Sequence, residues 1–135
     1  MREFQLAHMT WQESWRIVAQ QLSTKHLEAL GDGLSRDDPG LVQGKIVVPP
    51  GHARGETPTA ACAIGYCGWR GDGLVKVEDV WLFFLKITEK IKEYGEFLRW
   101  FDQTQREEMR HQLLPEVRRE LAIRNLETVD IGGEG

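Results

Sequence analysis

The chain has 135 residues and a formal charge of −4, from 21 acidic and 17 basic side chains. That length is near the modal size of one domain and supports a core that needs neither metal nor disulfide. So mild a charge offers no broad attraction to phosphate backbones, which argues against a general nucleic-acid binder, and it is too small for a mimic of nucleic acid.

Hydrophobic residues at 41% and charged residues at 28% are ordinary for a globular chain. Five tryptophans are not, because Trp belongs in cores or at contact surfaces. Met1-Arg2-Glu3-Phe4-Gln5 is followed by no apolar leader region. The longest apolar run, Val80 to Leu85, is far too short to span a membrane. Cys62 and Cys67, without an export signal, are expected to be free thiols in a reducing compartment, which makes the cytoplasm the expected location.

Thr10-Trp11-Gln12-Glu13 has the form of a capping box. Trp11, Trp15, Val18 and Leu22 then recur at spacings of four, three and four, a helical apolar stripe. Leu27 and Leu30 extend it, and Gly31 is placed to end it. Residues 31–44 carry turn formers at almost every other position and predict an irregular connection. Lys45 to Val48 is a β-branched run stopped by Pro49-Pro50, with the character of a short edge strand. Thr57-Pro58 is a good N-cap followed by the residue best suited to a first helical position, so a short helix is expected over 58–68, with a strand through Ala61 to Tyr66 as its rival.

The strongest pattern begins at Val77. Val77, Val80, Phe84, Ile87, Ile91, Tyr94, Leu98 and Phe101 alternate spacings of three and four, the apolar seam of a heptad. The phase passes through Gly95, so the pattern predicts either one long central helix or a break at that glycine. Gln105 to Leu114 continues in helical composition, Pro115 is expected to end or restart the helix, and Glu116 to Leu126 forms the last one. The expected architecture is a mainly α single domain over 1–127, of four to five helices with at most one or two short strands near 45–48. Residues 128–135 read as a flexible tail.

Three groups of residues invite a functional reading. Loop 51–59 delivers a permanent cation and two glycines into the expected helix start. Arg54 could hold an anion bidentately, with His52, Thr57 and Thr59 adding hydrogen bonds. It lacks the Gly-Lys-Ser/Thr ending of a P-loop, and a plain exposed connection is its bland alternative. Cys62 and Cys67, five apart on one helix, would sit about 140° and roughly 8 Å apart, beyond disulfide reach. Their spacing and the scattered histidines 8, 26, 52 and 111 suggest no metal site and no cofactor. Cys62 near a helix start is a candidate nucleophile with His52 or His26 as base, against the commoner reading of a buried structural thiol.

The aromatic group includes Trp81, Phe84, Tyr94, Phe97 and Trp100. It exceeds what one seam needs and reads as core with some members at an interface or a pocket. Arg106, Arg110, Arg118, Arg119 and Arg124 are interleaved with glutamates and read as a solvated helical surface with i,i+4 pairs. Arg70-Gly71-Asp72 reads as a turn. The chain as a whole is expected to be a small non-enzymatic binding or regulatory protein. Its expected partner is itself, as a homodimer, or another protein. A small-molecule or anion-binding protein using loop 51–59 is the alternative, and a small Cys-dependent enzyme the second.

Overall fold

Thr10 opens the first helix as its capping box predicts. Its Oγ1 accepts the Glu13 amide at 3.1 Å, and Glu13 Oε1 accepts the Thr10 amide at 2.9 Å. The structure, a computed structural model, describes residues 9–134, the last seven as backbone only. The expectations for Met1 to Gln5 and for His8 therefore lie outside the described residues.

The helix stops far short of Gly31. α1 spans Trp11–Ala19, and a second capping box starts α2, Thr24–Arg36. Ser23 Oγ accepts the His26 amide, and His26 Nδ1 takes the place of the usual carboxylate by accepting the Ser23 amide at 2.9 Å. Leu22 and Leu27, at the positions of a hydrophobic staple, are both buried. Gly31 lies inside α2 and faces Val117. The irregular stretch begins only at Asp37, whose left-handed φ of 53° ends the helix, a conformation Asp tolerates through its short polar side chain.

The expected helix at 58–68 is also corrected. Val47–Val48 (β1) pairs antiparallel with Ala60–Ala61 (β2). The Thr59, Ala61 and Cys62 amides donate to the carbonyls of Val48, Gly40 and Ile46. With those amides engaged across the chain, Thr57 has no helix to cap. α3, Ala63–Tyr66, begins at Cys62 instead and runs into a π-helical turn, Cys67–Gly71.

This short segment is the centre of the fold, where the sequence points to the aromatic helix. Every residue from Ala60 to Gly68 is buried. Its small residues allow the approach: a Cβ at Gly33 would fall 2.6 Å from the Tyr66 hydroxyl, and one at Gly68 would fall 2.5 Å from the Phe83 ring.

The seam separates into α4, Val77–Lys90, and α5, Tyr94–Gln103. The break is at 91–93, and Gly95 sits harmlessly in the first turn of α5. Ile91 is extended and buried. Ser14, fully buried, donates its hydroxyl to the Glu93 carbonyl and accepts the Phe97 amide at 2.9 Å. Past the break Phe101 keeps its seam position in the core, while Phe97 is buried in place of Leu98, and Tyr94 and Leu98 are half-buried.

The last helix, α6, runs unbroken from Arg106 to Glu134 through Pro115. At 29 residues it is about 43 Å long. Met109, Leu113 and Val117 are fully buried on both sides of the proline, and that packing offsets its missing amide. The backbone of the expected tail is helical to Glu134, and Gly135 lies outside the described residues. The described residues thus form a mainly α fold of six helices and a two-stranded sheet.

The arginines of α6 do more than solvate a surface. Arg106 donates to the Asp37 carboxylate and to the carbonyls of Leu41 and Asp38. Arg110 donates to the carbonyls of Leu34 and Ser35 at the end of α2, at 2.8 and 3.3 Å. Arg124, paired with Glu120 as its spacing predicts, donates to the Ala19 carbonyl ending α1. Both N-terminal helices are therefore capped at their C-termini by one later helix. Arg110→Met should lower stability by about 1–3 kcal/mol, seen as a lower urea midpoint with an unchanged slope.

Candidate functional site

Loop 49–56 reaches the start of α4 and makes a cleft with it. The Val77 amide donates to the Glu56 carbonyl at 2.9 Å, and the Gly55 amide donates to Glu78 Oε1 at 2.8 Å. Gly51 lies on Trp81, so close that a Cβ there would fall 2.9 Å from the Trp81 Cβ and Cγ. These contacts enclose a cleft of about 870 Å³ bordered by Pro50, His52, Arg54, Lys76, Glu78, Asp79, Trp81 and Leu82. A smaller hollow of about 340 Å³ lies beside it and shares Pro50, Gly51 and Trp81.

The predicted anion site is only partly assembled. His52 and Arg54 border the cleft, and Lys76 joins them. Thr57 and Thr59 do not. Thr59 is spent on the sheet, its hydroxyl donating to the Val48 carbonyl at 3.2 Å. No helix N-terminus faces the loop in the way Thr57-Pro58 suggests. The Gly55 amide, the donor an anion would use, holds the Glu78 carboxyl below its usual range instead. Lining charges of both signs therefore meet here: Arg54 and Lys76 against Glu78 and Asp79.

Both cysteines are free and buried. Cys62 Sγ accepts the Gly65 amide at 3.4 Å as the cap of α3. Burial pushes its thiol up to about 11, and Cys67 moves in the same direction for the same reason. That is opposite to the shift a nucleophile needs. Neither proposed base stands ready. His52 is exposed on the cleft, and His26 has both ring nitrogens engaged. Since Nδ1 accepts from Ser23, the proton is on Nε2, which donates to Asp72 Oδ1 at 2.9 Å. The same contact occupies the acid of Arg70-Gly71-Asp72. Among the described residues no three His, Cys, Asp or Glu side chains gather in a way that could hold a metal ion.

The aromatic candidates divide. Phe97 and Phe84 are core. Tyr94 meets the Phe84 ring edge-on at 6.4 Å, and Trp100 stacks on Trp11 with centroids 3.6 Å apart and planes 3° from parallel. Trp81 alone remains at the surface, 37% exposed. Leu82 beside it at 56%, and Val75 before the helix at 65%, are exposed residues that the sequence pattern does not single out. Leu82 falls between two seam positions, Val80 and Phe84, so its spacing marks it as off the core face, and that is the one signal the sequence holds for it.

No family model matches the chain, and no curated protein or solved structure matches it. Among the described residues no helix is long and apolar enough to cross a membrane.

The burial of the thiols has a measurable consequence. Neither cysteine should react with iodoacetamide in the native state near neutral pH, and both should react once urea unfolds the chain. Because folding raises the thiol values, their contribution is complete below the ordinary value of 9.0 and is lost as pH rises toward about 11. Denaturation midpoints should therefore fall across that interval.

Proposed function

We propose that this chain is a small non-enzymatic binding or regulatory protein that acts through protein contacts made by the outer face of α4 and the adjoining cleft. One observation carries the reading. Trp81 and Leu82 stand exposed on α4 with Val75 exposed just before it, and among the described residues Leu126, in α6, is the one other large apolar side chain left so exposed. A cluster of exposed aromatic and aliphatic groups rimmed by charge is the composition of a contact surface. The mixed charges of the cleft suit a polypeptide better than a simple anion. The two free thiols are consistent with a reducing, cytoplasmic setting.

A photo-reactive amino acid at Leu82 tests this in cells, with one at His111, whose side chain is 81% exposed on α6, as the control. The expected result is discrete protein adducts, to a second copy or another chain, from position 82 and none from 111. Equal labelling from both, or no protein adduct from 82, overturns it.

The cations around the cleft support a second reading, a small anion held by Arg54, Lys76 and His52. Under the first reading, inorganic phosphate produces no thermal stabilisation that depends on Arg54. A stabilisation present in the native chain and abolished in Arg54→Ala would establish the second.

A further inference from the structure

We infer that the outer face of α4 is a self-association surface, on which a second copy of the chain lays its own α4 antiparallel across a twofold axis passing beside Leu82. The inference rests on the reading of this face as a protein contact surface and specifies the partner.

The inner side of α4 is satisfied, with Val77, Val80, Phe84 and Ile87 buried. The opposite side is not. Asp79, Leu82, Leu85, Lys86 and Glu89 border one groove along its length, which Asp72, Leu74 and Phe83 also line. Asp79, Leu82, Lys86 and Glu89 follow one another at three, four and three residues, so they form a single stripe on the helix. Leu82 is its exposed apolar centre.

The charges around that centre identify the occupant. Asp79 lies three residues before Leu82 and Lys86 four after it. A twofold axis perpendicular to the helix, between positions 82 and 83, exchanges 79 with 86. Each Asp79 then meets the other copy's Lys86, and the pair is made twice because the interface is isologous. A parallel arrangement would bring each of these residues against its own copy, like charge on like. The antiparallel pair also opposes the two helix dipoles.

Leu82 meets Leu82 near the axis, with Leu85 at its border. α4 spans 14 residues, about 21 Å, and both ion pairs fall within it. Trp81 packs on Gly51, on the loop side of the helix.

The test is light scattering of the purified chain over a concentration series, with circular dichroism confirming that each variant is folded. All substituted positions are on the surface. A dimer is expected, and Lys86→Glu should weaken it at least about tenfold, since it sets like charges together twice. Adding Asp79→Lys to Lys86→Glu restores opposite signs at both places and should recover the dimer. A native chain that is monomeric at every concentration overturns the inference. So does a dimer indifferent to Lys86→Glu, or one that the double variant fails to recover. In any of these cases an adduct between position 82 and a different protein would leave the contact surface standing and remove only the second copy. The absence of any protein adduct would remove both.

Discussion

The carbonyl ends of α1 and α2 are held by arginines from a helix that arrives some seventy to a hundred residues later in the chain. The Ala19 and Leu34 carbonyls already accept the Leu22 and Asp37 amides, so the guanidinium groups add charge-assisted bonds that tie these ends to a distant segment. The positions also determine how α6 lies. Arg106 and Arg110 reach the end of α2, Val117 faces Gly31 in its middle, and Arg124 reaches Thr24 at its start. The two helices therefore run antiparallel over nearly the whole length of α2. Guanidinium groups suit this task because each presents several donors in a fixed plane and never loses its charge.

A succession of close approaches is built on this anchorage. α2, fixed by α6, offers Gly33 to the Tyr66 ring, whose hydroxyl donates to Asp38 at 2.5 Å. The segment Ala60 to Gly68 is thereby buried between α2 and α4, and its Gly68 accepts the Phe83 ring. The helix α4 has its inner face filled by this contact and by the seam. Ser14 turns the chain at 91–93, so α5 folds back on α1 and stacks Trp100 on Trp11. That turn brings most of the aromatic surplus inside. The other face of α4 remains outside, because no element among the described residues covers it.

Under the proposed function, this arrangement separates structural chemistry from recognition. The thiols, the Ser23–His26–Asp72 contacts and the Tyr66–Asp38 pair are internal and occupied by one another. The groups of the cleft and of the α4 stripe are not occupied in this way. They combine exposed apolar area with charges of both signs, a surface whose selectivity comes from the order of its charges rather than their sum.

Much of this was legible in the residues themselves. The Thr10–Glu13 cap, the helical period of α1 and α4 and the short β-branched run at 47–48 are local signals, and each depends on neighbours within a few positions. Ser23-x-x-His26 was legible too, but a histidine in the place of a glutamate disguised it. The remainder depended on distant partners. Thr57-Pro58 is a sound helix start that loses because the amides after it bond to carbonyls at 40–48. Pro115 is a sound breaker that fails because the helix packs on both sides of it. The seam keeps its period past residue 91, yet where a buried serine some eighty residues earlier in the chain bonds Glu93 and Phe97, Phe97 takes the core place of Leu98. The sequence by itself thus determined that the chain is helical and which faces are apolar. Only the tertiary structure decided which apolar face would be left uncovered, because that depends on how many elements reach each face, and a period along one helix carries no information about that.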